Sequence, residues 1–378
     1  MKPWGERHMK ILHYMPVPSV RYNEAFINMI LNNDIFRRDE HFFWLTSGES
    51  YKMSKNHLNV FLKTGNVALE MKKKQDNIDI IVIHGLDFRL HELFFLNTDA
   101  RLRKKMIWIV WGHDLYRVKN TNIASISGKI KYCIKMIICI LIQVPFVKNI
   151  KCIGIGFPYD EKEIRKWYGN KICVKSAPYD LGYDYKSIKN LKQSMKANKV
   201  CGNTTNILLG HSAYEFLNHI QNLKRLEKYQ ECNMKIYIPL NYGDANYKKR
   251  LMEYISTSEL DIEVLDDMLS MNEYLLFLSK MDIAIFDFDH QAALGNIYLL
   301  LYLEKKIYLS KQGIIYNGLR EQDIAVFSTD TIGEIEFEEF KSNNFDASRG
   351  VMFSKKKLDC KEIVNDWNQL FLYCREGE

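Results

Sequence analysis

One pattern runs along this chain twice. Short apolar runs, rich in β-branched and aromatic residues, alternate with longer stretches of helical periodicity. Runs too apolar to alternate inward and outward fit strands of parallel sheets buried on both faces and joined by helical crossovers. In the first half the expected strands are 10–15, 41–46, 78–84, 106–111 and 151–155. In the second they are 206–210, 235–239, 262–265, 282–288, 307–310 and 324–327. Residues 184–205 contain few large apolar side chains and end in Gly-Asn-Thr-Thr, which reads as a linker. The chain has 378 residues, 47% of them hydrophobic, enough for two separate cores. The expected fold is α/β: two Rossmann-like, doubly wound parallel-sheet domains facing across a cleft. They are expected at 1–190 and 200–355, with a periodic helix within 356–378 packing near the domain junction.

Charge is divided unevenly between the halves. Residues 1–199 carry 34 Lys+Arg against 18 Asp+Glu, a net +16, whereas residues 200–378 carry 19 against 28, a net −9. A basic first half calls for an anionic partner such as nucleic acid, a membrane surface or a diphosphate-linked lipid. The basic residues are dispersed and form no nucleic-acid motif, so nucleic acid is not the expected partner. The eight cysteines form no CxxC pair and lie away from any histidine cluster, which fits reduced thiols rather than a zinc site. Neither a signal peptide nor a spanning helix is expected, because the start lacks an apolar core and no apolar run reaches about 18 residues. Residues 129–147 are apolar and headed by Lys129, Lys131 and Lys135. A cationic, strongly apolar helix suits a membrane interface, and its alternative is a buried helix with solvated lysines.

In doubly wound sheets, ligands sit beyond the carboxyl ends of the strands. Gly210-His211-Ser212 follows the first strand of the second half, where amides and a hydroxyl can approach a phosphate. A helix is expected behind this turn, from about residue 213 through 223. The segment from Phe286 to Asn296 leads from a buried strand into an apolar helix, whose first amides can hold a diphosphate. It also contains Asp287-Phe288-Asp289, a DxD match to metal-ligating elements, but three-residue matches arise easily by chance and no metal is expected. Asp114 in Trp111-Gly112-His113-Asp114 fits either a general base or a helix cap. His84 and His13 fit either a proton relay or structural packing.

Several of these strand ends match one pattern in order. Trp111, Gly112, Asp114, Leu115 and Tyr116 match Trp-Gly-x-Asp-Leu-Tyr, and His84-Gly85 matches a Phe-His-Gly-like strand end. Ile11-Leu12-His13, followed by Asn23, matches an early strand ending in His. Gly210, Ser212, Asn218 and His219 match a Gly-Asn-Ser turn followed by Asn-His, with His211 replacing Asn. Ile238 to Tyr242 is similar to Val-Pro-x-x-Tyr, and Phe286, Gln291, Gly295 and Asn296 to a Phe, Gln, Gly-Thr run. Spanning about residues 10 to 300, the chain resembles the bacterial TDP-N-acetylfucosamine:lipid II N-acetylfucosaminyltransferases, glycosyltransferase family 56.

The resemblance implies a GT-B-type fold and a dTDP-activated 4-amino-4,6-dideoxyhexose donor. It also implies an acceptor oligosaccharide on undecaprenyl diphosphate at the cytoplasmic face of the bacterial inner membrane. On this reading the donor is held by Gly210, His211, Ser212, Asn218, Tyr242, Phe286, Gln291, Gly295 and Asn296, with no metal or other cofactor. Asp114 or His84 takes the proton, and His13, Lys129, Lys131 and Lys135 serve the acceptor and membrane side. The substitutions at His211, Ala292 and Asn296 leave open a UDP- or GDP-sugar donor. A membrane-associated, non-catalytic assembly partner of the same fold is the remaining alternative.

Overall fold

The computed structural model describes residues 8–17, 19–54, 57–116, 126–197 and 204–376. They form two compact units: one runs up to Gly182 and resumes at Cys360, the other is Tyr183–Asp359. Each is built on a wholly parallel sheet with the strand order of a doubly wound fold, so the architecture is of GT-B type.

The sheet of the first unit comprises β1 (Lys10–Met15), β2 (Glu40–Leu45), β3 (Val60–Leu62), β4 (Ile80–His84), β5 (Met106–Ile109), β6 (Cys152–Ile155) and β7 (Val174–Ser176), ordered β3-β2-β1-β4-β5-β6-β7. Its central strands are buried throughout, as their unbroken apolar runs predict. The edge strands β3 and β7 were not among those expected. They are three residues long, partly polar and weak in periodicity.

The C-terminal helix, Cys360–Glu376, expected near the junction, belongs to the first unit and packs into its core. Ile363, Trp367, Leu370 and Cys374 fall at helical spacing and are wholly buried. Trp367 Nε1 donates to Pro178 O at 2.8 Å, and Arg375 grips both oxygens of Asp39 at 2.8 and 2.7 Å. An indole buried this completely makes a Trp367→Ala change cost about 3–5 kcal/mol.

The sheet of the second unit comprises β8 (Thr205–Leu209), β9 (Met234–Pro239), β10 (Ile262–Leu265), β11 (Ile283–Phe286), β12 (Lys306–Leu309) and β13 (Phe327–Ser328), ordered β10-β9-β8-β11-β12-β13. The order reverses between β8 and β11, which makes their shared end the switch point where such sheets open a crevice. The expected linker is corrected here: Tyr185–Ala197 is a helix of the second unit. Its sparse apolar residues suffice because they are correctly spaced. Ile188 is fully buried, Tyr185 meets Tyr302 through their hydroxyls at 3.1 Å, and Lys192 pairs with Glu304 at 2.8 Å.

Candidate functional site

At the switch point of the second unit, Gly210 N donates to Ile285 O at 2.9 Å and ties the ends of β8 and β11 together. Gly210 has φ +70°, and a Cβ there would lie 2.3 Å from His219 Nε2. The glycine is therefore demanded both by its backbone and by the imidazole packed against it. The chain does not enter a helix at residue 213. It makes a short 3₁₀ turn, Glu215–Leu217, passes through Asn218 in the left-handed conformation (φ 52°), and starts the helix His219–Leu226 there. The helix expected directly behind the turn is displaced because Ala213 is paired sideways instead. Its N–H donates to Tyr242 O at 2.7 Å, and its carbonyl accepts from Asp244 N at 2.8 Å.

Around this rim, several buried polar atoms have no hydrogen-bond partner: His211 Nδ1, Ser212 Oγ, Asn241 Oδ1 and Gln291 Oε1. Ser212 is wholly buried. His211 is held near pKa 4 by burial and by His290, so its ring is neutral at pH 7. His219 accepts or donates through Nδ1 to Tyr247 OH at 3.0 Å, and burial holds it near pKa 3, helped by His211. Gln291 precedes the helix Leu294–Tyr302, whose N-cap Ala293 also adopts a left-handed conformation, with φ 51°. Gly295 and Asn296 lie in that helix's first turn and are partly exposed. Tyr242 is 49% exposed on the loop that follows β9.

Two expected donor contacts have other work. Phe286 is 1% exposed and forms the floor under His211, ring to ring at 6.3 Å, so it supports rather than touches a ligand. Asn218 spends its side-chain amide on Asp287 O at 2.9 Å. Asp287 is the hub beneath the rim. Its carboxylate accepts from Asn222 Nδ2, Arg225 and Thr329 Oγ1, each at 3.0 Å. Those three donors occupy the oxygens that a DxD metal site would need. Asn222, Arg225 and Thr329 were not anticipated. The spacing of Asn218, Asn222 and Arg225 at i, i+4 and i+7 was the available signal, because it puts three polar residues on one helix face.

In the first unit the corresponding side chains are spent on one another. His13 lies between His41 (Nε2 to Nδ1, 3.0 Å) and His84 (Nδ1 to Nε2, 3.0 Å). His84 bonds onward to the Tyr179 hydroxyl, which also accepts from Trp111 Nε1 at 2.8 Å. His13 and His84 are completely buried, and burial pushes the pKa of His84 down to about 3 and of His41 to about 4. His13 is likewise lowered, by burial first and then by its two histidine neighbours. His13 is thus a core residue covered by Phe26 and Phe43, and His84 is completely buried with both ring nitrogens engaged, so neither is presented to a substrate as expected.

Asp114 is 1% exposed, and its carboxylate accepts four hydrogen bonds: from Leu86 N, Trp108 Nε1, Trp111 N and Leu115 N, at 2.7 to 3.0 Å. The expected base is instead a clamp that joins the turn after β4 to the turn after β5. Besides Arg89, which stays protonated, the exposed titratable side chains on the described residues of those two turns are Asp87 and His113.

The apolar segment after residue 125 is a helix, Ile126–Ile138, continuing through a π-helical stretch, Cys139–Gln143, into Val144–Lys148. Ile130, Ile134, Ile137 and Leu141 are 51–67% exposed and recur at helical spacing. Leu90 and Phe94, one turn apart on the helix Leu90–Asn97, are exposed as well. Lys129, Lys131 and Lys135 fall on the helix backbone, and their side chains lie outside the described residues. Among the described residues no helix is long and apolar enough to cross a membrane.

Solved structures share this architecture. A glycosyltransferase from Rickettsia africae is 14% identical, with TM-score 0.64 over 98% of this chain and 100% of that one. Anabaena HepE, solved with UDP and glucose, is 12% identical, with TM-score 0.62 over 97% and 100%. Sucrose-phosphate synthase from Thermosynechococcus elongatus is 9% identical, with TM-score 0.64 over 98% and 100%. At such identities the likeness is one of fold. The sequence is more specific, because residues 165–369 match the model of the family described as 4-alpha-L-fucosyltransferase, glycosyl transferase group 56. That stretch contains the whole second-unit rim together with its Asp287 hub, and with it the chain belongs to glycosyltransferase family 56 as a hexosyltransferase of GT-B type.

Proposed function

We propose that the second unit holds a nucleotide-sugar by its diphosphate at the joined ends of β8 and β11. From it the enzyme transfers a 4-amino-4,6-dideoxy, N-acetylfucosamine-like hexose, carried on dTDP, to an oligosaccharide on undecaprenyl diphosphate. The observation that carries this reading is the set of partnerless buried atoms at one rim: His211 Nδ1, Ser212 Oγ, Asn241 Oδ1 and Gln291 Oε1. Each such atom costs about 1–3 kcal/mol in the ligand-free protein, a cost that a polar ligand relieves on binding. Negative charge grows on the leaving phosphate as the glycosidic bond breaks. The Ser212 hydroxyl, the neutral His211 ring and the first-turn amides of Gly295 and Asn296 are the donors that meet it. Gln291 Oε1 and Asn241 Oδ1 accept from N–H or O–H groups of the donor. The scheme uses no metal ion, since Asp287 already serves three donors.

The acceptor hydroxyl loses its proton to an exposed group on the turns that Asp114 clamps, Asp87 or His113. The exposed isoleucine face, together with the +16 charge of the first half, docks the enzyme peripherally on the anionic cytoplasmic face of the bacterial inner membrane. A UDP-sugar donor is the second reading, left open by His211 and Asn296 at positions where the family pattern has Asn and Thr. Mass spectrometry of products from dTDP-, UDP- and GDP-sugars with a lipid-diphosphate acceptor tests the proposal. The expected result is transfer from the dTDP-sugar. Transfer from UDP-sugars alone replaces the donor, and no transfer from any of them overturns the reading.

A further inference from the structure

We infer that Tyr214, Phe216 and Tyr242 form a stacking platform for the nucleobase of the donor, an inference that rests on the donor reading above. The three rings are 39%, 37% and 49% exposed, large apolar surfaces left to solvent on two adjoining loops. Tyr214 and Phe216 lie nearly parallel, 5.4 Å apart with 13° between their planes. Tyr242 stands edge-on to Tyr214 at 6.4 Å and 72°. His290 closes the far side against Phe216 at 4.6 Å.

The platform is held rigidly. The loop after β8 and the loop after β9 are joined by a parallel bridge between Ala213 and Gly243. Gly243, at φ +131°, approaches so closely that a Cβ would sit 2.5 Å from Ala213 O. Exposed rings fixed in advance lose little conformational freedom when a ligand stacks on them.

The rings also adjoin the partnerless rim directly. Ser212, wholly buried with its hydroxyl unpaired, is two residues before Tyr214, and Asn241, whose Oδ1 is unpaired, immediately precedes Tyr242. A hexose at this surface would need partners for its hydroxyls, but the neighbouring carboxylates are committed. Glu215 pairs with Arg250 at 3.1 Å, and Asp244 caps its helix through Tyr247 N at 2.7 Å. A flat base needs a ring face and one or two edge partners, and Asn241 Oδ1 is an acceptor for a base N–H.

The test is calorimetric binding of UDP, dTDP and inorganic pyrophosphate to the full chain and to Tyr242→Ala, Tyr242→Phe and a Tyr214→Ala/Phe216→Ala pair. Wild type is expected to bind all three. Tyr242→Ala and the double variant should lose roughly ten-fold or more for UDP and dTDP, keep pyrophosphate affinity, and be rescued at position 242 by Phe. Nucleotide affinities unchanged in both alanine variants overturn the platform while leaving the diphosphate site standing. Wild type that binds none of the three ligands overturns the donor reading and the platform with it.

Discussion

The two sheets end in opposite ways. In the first unit, polar side chains close on each other: His84 at the end of β4 joins His13 and His41 inside the sheet to Tyr179 and Trp111 beyond it, and Asp114 satisfies four donors. In the second, His211, Ser212, Asn241 and Gln291 keep buried atoms without partners, while the hub beneath them at Asp287 is fully bonded. Asn23 Oδ1, near the end of β1, and His41 Nε2, at the end of the histidine chain, are buried unpaired atoms in the first unit. A satisfied polar network stabilises, whereas an unsatisfied one costs stability until a ligand completes it. On the function proposed above, the contrast separates scaffold from binding surface, although both sheets are parallel and are doubly wound in the same order.

The largest expected effect is on catalysis. Asp87→Asn or His113→Gln, whichever removes the acceptor of the proton, should lower kcat by about 10²–10⁴ with little change in thermal unfolding. Steady-state kinetics on both variants decides between them. Full activity in each returns the role to the buried pair and breaks the contrast.

Next is stability in the first unit. Asp114→Ala strands four buried donors and should cost about 3 kcal/mol or more in urea unfolding. A fall in kcat without that loss would mean the carboxylate acts chemically rather than as a clamp.

A third test uses acid. His13, His41 and His84 are all lowered from their ordinary value of 6.5, so the unfolded chain binds protons that the folded one refuses. Their contribution is fully present above about pH 6.5 and is lost as pH falls toward 4. Each histidine adds a slope of up to about 1.4 kcal/mol per pH unit. Urea midpoints between pH 7 and 4.5 should fall accordingly, and His41→Phe should flatten the fall; an identical slope in that variant would remove the histidine chain from the account.

The smallest effect is in the second unit. Ser212→Ala removes an unpaired buried hydroxyl, so unfolding stability should stay level or rise while donor-limited turnover drops roughly ten-fold.

Much of this was legible in the sequence, for identifiable reasons. Central strands such as Ile80–His84 announce themselves because both faces are buried and the run stays apolar. The three-residue edge strands carry no such signal, and Tyr185–Ala197 was read as a linker because Ile188 alone is buried deeply on it. In the structure the motifs lie at or just beyond the ends of β4, β5, β8, β9 and β11. What order cannot give is direction and burial. Asp114 and Asp87 are both acids on neighbouring turns, yet one is sealed beneath four donors and the other faces solvent. Phe286 ends β11 and Tyr242 lies on the loop that follows β9, yet one is floor and the other surface. Such differences arise from contacts distant in sequence, Leu86 with Asp114 and Thr329 with Asp287 among them.

The central claim is that the partnerless rim of the second unit is the diphosphate site. Calorimetric titration of the full chain with dTDP, alongside the Ser212→Ala and Gln291→Leu variants, tests it most directly. The account predicts saturable binding to wild type, weakened about ten-fold in each variant, with unfolding stability unchanged or higher. Equal affinity in all three proteins would contradict it.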